Sequence, residues 1–211
     1  MGIFCKFGSL EESLPVAVYG SAAILSVTAA ATAAGQGICV GPPVPGLEVA
    51  IIAIDDGPLA AWSDSLRLGA GAIGEICVRG PQVTRSYFRR PEQTALAKIP
   101  GPDGGVWHRM GDVGHRDADG RLWFLGRKSH RVESAQGVFH SLQIEGPCDA
   151  LPQVFRSALV GLGQAPQQRP ALVVECEPGT PASAQTAIRA ACLEAARAQG
   201  CTLAAVFFHP S

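Results

Sequence analysis

Residues 106–132 read VWHRMGDVGHRDADGRLWFLGRKSHRV, and this stretch decides the fold. Asp119-Gly120 is a strong two-residue turn signal, so residues 115–125 are predicted to form a β-hairpin. A hairpin brings its two ends together. Asp112 stands before the hairpin and the pair Gly126-Arg127 after it. The two side chains can therefore meet one ligand despite their distance in sequence. A carboxylate accepts two hydroxyl protons, and a guanidinium donates in a fixed fork. Together they suit a vicinal diol such as a ribose.

Working outward, the preceding residues supply further strands. Residues 14–19 read as a short buried strand ending in Tyr19-Gly20. Residues 21–34 are an Ala/Thr-biased stretch with helical character. GPPVPG at 41–46 is a stiff turn. Residues 48–54 alternate into a strand closed by Asp55-Asp56-Gly57, and 74–80 form another. Pro91 at a favourable first position opens a short helix. Many strands with few helices predict a small twisted sheet or barrel over roughly 37–126.

After Arg127 the pattern changes. Residues 157–162 and 171–176 are strand-like. Thr180-Pro181 reads as an N-cap and first turn. Ala184, Ile188, Ala191, Cys192 and Ala195 line one helix face, Gly200 stops the helix, and 203–208 form a last strand. The fold class is α+β. Three segments are expected: 1–36, poorly ordered; 37–127, a β-rich subdomain; and 128–211, a small α+β domain.

Composition bounds the function. The chain has 211 residues, 47% hydrophobic and 17% charged, with a net charge of −1. That length allows a real core, and that charge gives no global pull toward nucleic acid or acidic membranes. From Arg85 to Arg131, ten Lys/Arg face five Asp/Glu. This local excess reads as a solvated rim or a phosphate-facing cleft. No aromatic-basic interleaving accompanies it, so nucleic acid is not expected. The seven cysteines are scattered and form no C-x-x-C. They read as reduced, packed thiols of a cytoplasmic protein. No metal-ligand spacing joins them to the histidines. Asp117-Ala118-Asp119-Gly120 imitates part of a calcium loop, but the twelfth position is Gly126 rather than Glu. Residues 13–47 carry no charged side chain. Pro15, Gly20, Gly35 and Gly37 break that run, so neither a leader nor a membrane span is predicted.

With GEICVRGPQVTRSYFRRPEQT at 74–94, the opening stretch resembles the AMP-forming adenylating enzymes: acyl-CoA synthetases, peptide synthetase adenylation domains and luciferases. HRMGDVG, GRLWFLGRKSHRV and AKIPGPDG resemble the olefin β-lactone synthetase branch in particular. The resemblance runs from about Tyr19 to the C-terminus and covers only the later part of the family's length. It implies a nucleotide and an acyl substrate as partners, with ATP/AMP and Mg2+ in the full-length family. By the same match Tyr19 and Gly20 flank adenine, Asp112 receives the ribose hydroxyls and Arg127 joins it. Ser129 lies at the family's hinge, where relatives often carry Asp or Lys, and Gly137 lies in the loop after it.

The departures are equally specific. Ala22 stands where a Thr positions phosphate, and Ala23 where a Glu holds magnesium. No Ser/Thr/Gly-rich phosphate loop precedes Tyr19, and Lys6, Lys98 and Lys128 do not match the family's late catalytic Lys. No catalytic residue and no metal ligand is therefore assigned. The resemblance implies a piece of a ligase for a fatty or β-hydroxy fatty acid, inactive alone and serving β-lactone or olefin synthesis. An acyl-CoA ligase piece, or a non-catalytic remnant or interaction module, is the alternative.

Overall fold

The computed structural model describes residues 4–8 and 15–209. The chain divides into two compact units, residues 1–28 with 39–124, and residues 29–38 with 125–211. The architecture is mixed α+β. Residues 29–38 thus join the second unit rather than standing apart with the other early residues.

In the first unit β1 (Phe4–Phe7) pairs antiparallel with β2 (Ala17–Gly20). The predicted helical stretch follows as α1 (Ser21–Ala23), a π-helical turn at Ile24–Thr28, and α2 (Ala29–Ala33). The main sheet holds six strands: β3 (Ile38–Gly41), β4 (Glu48–Ile52), β5 (Gly74–Arg79), β6 (Lys98–Pro100), β7 (Val106–Arg116) and β8 (Leu122–Arg127). Their order is β3-β8-β7-β5-β4, with β6 pairing on β7. The order is open, so of the two expected forms the sheet is found and the closed barrel is not. Between β5 and β6 lies α3 (Pro91–Ala97), with its proline in the first turn as expected.

Successive side chains of a strand point to opposite faces. On β4 and β5 both faces are buried. Val49, Ile51, Ile76 and Val78 pack with Val16, Val40, Met110 and Leu122. Ala50, Ile52 and Cys77 pack with Trp62, Ile99 and Trp107 on the other side. Two buried faces explain why these strands read as nearly continuous apolar runs.

Among the charged groups buried in this sheet are an acid on β5, Glu75, and a base on β7, Arg109, 1% and 4% exposed. Arg109 Nε and Nη2 donate to Glu75 Oε2 at 3.0 and 2.7 Å. Nη1 donates to the carbonyls of Gly57 (2.6 Å) and Leu96 (3.2 Å), and Nη2 also to Asp55 O. Every N–H of the guanidinium therefore has an acceptor. One side chain ties the two central strands, the loop after β4 and the end of α3.

In the second unit β9 (Val132–Ser134) and β10 (Gly137–Phe139) form a hairpin. It is followed by α4 (Ser141–Asp149), β11 (Val154–Leu162), β12 (Arg169–Cys176), α5 (Gln185–Ala198) and β13 (Ala205–Phe208). β12 pairs antiparallel with β11 and parallel with β13. Ile144, Cys148, Leu159, Leu172, Val174, Ile188, Cys192 and Val206 fill the core. Ala196 also faces it, fully buried, although the helix-face reading stopped at Ala195. Thr180 is not the cap of α5. A 3₁₀ turn at Ala182–Ala184 intervenes, with Pro181 at its N-cap position and no side-chain cap bond. The short helix α2 belongs here because α4 offers it a glycine. A methyl group at Gly146 would lie 2.7 Å from the Thr32 carbonyl oxygen.

Removing the carboxylate from the first unit's buried pair strands a charge. We expect Glu75→Gln to lower stability by about 3–5 kcal/mol, read as a fall in the urea midpoint at constant slope. Glu75→Leu combined with Arg109→Met should recover much of that loss. A single-variant loss below about 1 kcal/mol would mean the guanidinium reaches water without its partner.

Candidate functional site

Asp112 is buried in β7, 5% exposed, and belongs to the first unit. The residue before it sets its aim. Gly111 sits at φ +68°, a left-handed conformation that costs other residues about 1–2 kcal/mol. Across the sheet Cys77 pairs with Arg109 and Glu75 with Val113, so β7 carries two extra residues at this point. Such a bulge breaks strict alternation and re-aims the side chains that follow it. Asp112 is the first of them.

Arg127 is the last residue of β8, exposed, and belongs to the second unit. Its backbone caps a 3₁₀ turn, Lys128–His130, which carries Ser129 in an exposed position. Gly137 opens β10, exposed, at φ +127°. Gln136 beside it is pinned within the second unit: its Nε2 donates to Thr202 O at 3.0 Å, and Thr202 N–H donates to its Oε1 at 2.8 Å.

The hairpin between Asp112 and Arg127 forms, with a wider turn than the two-residue one predicted. Asp117 N–H bonds Arg121 O at 3.0 Å, and Gly120 N–H bonds Asp117 O at 3.0 Å. The loop is therefore three residues, a tight turn closed by Gly120 at φ +78°; this is the second common hairpin geometry. The Asp117 side chain selects it. Its Oδ1 accepts the Arg121 N–H (2.8 Å), and its Oδ2 accepts Arg121 Nε (2.7 Å) and Trp123 Nε1 (2.8 Å). Burial pushes this carboxyl up, but the bonds from Trp123 and Arg121 outweigh it, and it lies below its ordinary value. Asp117 is thus the lock of the hairpin. Among the described residues no three His, Cys, Asp or Glu side chains gather as a metal set.

Tyr19 lies on β2, half-buried, opposite Cys5. Gly20 ends β2 and precedes α1 in extended conformation, at φ −72°. Tyr19, Gly20 and Asp112 share the first unit; Arg127, Ser129 and Gly137 share the second.

Two groups escaped the sequence reading. The Glu75–Arg109 pair is one; part of its signal was available, since Glu75 is the one acid in the mostly apolar strand β5. The other is His140, which precedes α4 at 6% exposure, with no partner for its Nδ1 among the described residues. Burial, reinforced by the neighbouring Arg131 charge, pushes its imidazolium down to about 4.

Comparison with known proteins places this geometry. No family model matches the chain. It is 51% identical over 187 residues to an olefin beta-lactone synthetase of Xanthomonas campestris pv. campestris, covering 85% of this chain and 34% of that protein. It is 54% identical over 168 residues to an olefin beta-lactone synthetase of Stenotrophomonas maltophilia, covering 78% of this chain and 30% of the relative. The chain thus spans about a third of these relatives' length. Among solved structures it superimposes on the amide bond synthetase McbA from Marinactinospora thermotolerans with a TM-score of 0.72 at 25% identity, covering 99% of this chain and 38% of that one. The ATP-bound MatB from Rhodopseudomonas palustris shares the fold, with a TM-score of 0.71 at 24% identity, covering 99% of this chain and 37% of that one.

Two predictions come from this geometry. No atom lies within 4 Å of a methyl at Gly111, so Gly111→Ala should cost only the backbone penalty of about 1–2 kcal/mol. Gly111→Asn, whose side chain tolerates that conformation, should cost less. Equal urea midpoints for all three proteins would mean the bulge relaxes freely.

The second concerns acid. The folded value of His140 lies below the unfolded one of 6.5, so the unfolded chain takes the proton first. Its stabilising contribution is complete above pH 6.5 and is lost as pH falls through about 4. The loss reaches about 3 kcal/mol at most. Glu145 and Asp149, both raised by burial, act in the opposite sense. The wild type is therefore compared with His140→Gln, which should lose less stability between pH 7 and pH 4.5 in urea titrations (about neutral to acidic limits of the window). Parallel pH profiles would remove His140 from the account.

Proposed function

This chain is related to the AMP-forming adenylating enzymes over about a third of their length, and from that premise we propose that it carries the ribose grip and hinge of an ATP-dependent ligase. The ligase activates a carboxylic acid, in this branch a fatty or β-hydroxy fatty acid. The carboxylate oxygen attacks the α-phosphate of ATP and pyrophosphate leaves. The acid's own hydroxyl oxygen then attacks the acyl carbon, gives up its proton, and expels AMP to close a β-lactone. The identity to two olefin beta-lactone synthetases carries this reading. Transfer to coenzyme A instead is the alternative within the class, supported by the named CoA ligases among more distant relatives.

In this reading Asp112 accepts the two ribose hydroxyl protons, and Arg127 donates to the same diol. A carboxylate aimed by a bulge in a rigid strand suits that task, because the strand holds its position before the ligand arrives. Tyr19 and Gly20 flank the adenine. Ser129 in the exposed turn after Arg127 serves as hinge, and Gly137 belongs to the loop that this hinge moves. The negative reactants also need their phosphate charge neutralised. Ala22 and Ala23 offer no oxygen or charge for that work, so we assign nucleotide binding without adenylation to these 211 residues. The free cysteines among the described residues support a reducing, cytoplasmic setting. No described helix is long and apolar enough to cross a membrane.

The test is a pair of titrations by calorimetry. AMP should bind the wild type at least about tenfold more tightly than Asp112→Asn, since bonds to a charged acceptor contribute about 1.5–3 kcal/mol. 2′,3′-Dideoxy-AMP should lose as much on the wild type and nothing further on the variant. Equal binding of AMP and its dideoxy analogue would overturn the ribose grip. Pyrophosphate exchange with β-hydroxy fatty acids should show no turnover by this chain.

A further inference from the structure

Residues 84–106 build a second cleft in the first unit, outside the Asp112 region. Its volume is about 550 Å³, inside the range of roughly 300–1,000 Å³ usual for small-molecule sites. The walls are largely apolar, from Tyr87, Pro91, Ala95, Pro100 and Val106, and four cations surround them: Arg85, Arg89, Arg90 and Lys98.

The cleft is held open by its own backbone. Tyr87 N–H donates to Thr94 Oγ1 at 3.0 Å, and Thr94 Oγ1 donates to Arg90 O at 2.8 Å. The loop is thereby pinned to α3. Lys98 closes the other end. It is 4% exposed, donates from Nζ to Thr84 Oγ1 at 3.2 Å, and lies 5.1 Å from the centre of the Tyr87 ring. A buried ammonium with an aromatic face beside it is a built feature rather than a solvated surface charge.

The arginines of the cleft differ from four others of this unit. Arg109 is consumed by Glu75, Arg121 by Asp117 and Asp119, Arg67 by Asp64 and Glu48, and Arg79 by Asp103 and Glu48. Among the described residues, Arg85, Arg89 and Arg90 have no acidic partner, and Glu92 is the sole acid on the adjoining helix. Arg89 also sits at φ +53°, a left-handed conformation rare for a residue with a long side chain, with its guanidinium 5.1 Å from the Phe88 ring. Such local cost persists where the surrounding structure imposes it, and functional sites are where it collects.

We propose that this cleft binds an amphipathic anion, a carboxylate or phosphate head on an apolar chain, with the arginines and Lys98 on the head and the Tyr87–Val106 wall on the chain. The site is separate from the ribose grip and does not depend on it.

The experiment is calorimetric titration of the chain with dodecanoate and dodecyl phosphate below their micelle concentrations. Dodecyltrimethylammonium, inorganic phosphate and acetate serve as comparisons. Both anionic amphiphiles should bind, with the affinity falling as salt is raised. The cation and the two short anions should bind at least about tenfold more weakly. Arg85→Gln combined with Arg90→Gln should cost about tenfold, and Ala95→Trp, which fills the apolar wall, should block binding. Circular dichroism confirms that each variant is folded. Inorganic phosphate binding as tightly as dodecyl phosphate would overturn the proposal, because the apolar wall would then contribute nothing. Binding untouched by both variants would overturn it too. So would association with phosphatidylglycerol vesicles without any binding of the monomeric amphiphiles, which would assign the arginines to a membrane surface.

Discussion

The first unit depends on the guanidinium of Arg109. Strand β5 is buried on both faces, so a charge set there must be answered from within. Arg109 answers Glu75 and three backbone carbonyls at once. Desolvating an ion pair costs several kcal/mol per charge, and attraction alone does not reliably recover it. Here complete hydrogen bonding makes the arrangement tolerable, and its return is specificity. Strand β7 has one register in which all the acceptors are met. That register also fixes the bulge at Gly111 and the position of Asp112, three residues further on.

Much of this was legible from the residues. The Asp-Gly turn, the proline opening α3, the apolar strands 48–52 and 74–79 and the 3.6-residue stripe of α5 are local signals, and each marks an element that forms. What failed was what depends on particular side-chain and packing contacts. The hairpin loop is three residues rather than two because the Asp117 carboxylate reaches Arg121 and Trp123. Turn propensity sees Asp119-Gly120 but not that grip. Residues 29–38 join the later unit because the carbonyl of Thr32 fits against Gly146, a contact between positions that no periodicity links. Thr180 resembles a cap, yet the chain inserts a 3₁₀ turn before α5, a choice made by packing rather than by the capping side chain. Of the candidate site, the sequence supplied the residue types at 19, 20, 112, 127, 129 and 137. It did not supply the bulge that aims Asp112, because a glycine reads alike in a strand, a turn and a bulge.

The cluster of basic residues between 85 and 131 illustrates how structure divides what composition lumps together. Read as a sum, ten cations against five acids suggest one electropositive face, whether solvated rim or phosphate cleft. The structure separates them by task. Arg109 is buried and spent on architecture, while Arg121 locks the hairpin. Arg131 pairs with Glu133 at 2.7 Å in the second unit. Charges neutralised within a few ångströms add little to the field felt by a distant ligand. Part of the excess lies together at Arg85, Arg89 and Arg90, against an apolar wall. A nucleic acid would call for an extended basic track with stacking faces, whereas a short cationic rim around an apolar cleft matches a small ligand with one charged end. The same division explains why net charge says so little about this chain: several of its cations are each matched to a particular acid, and others line the cleft.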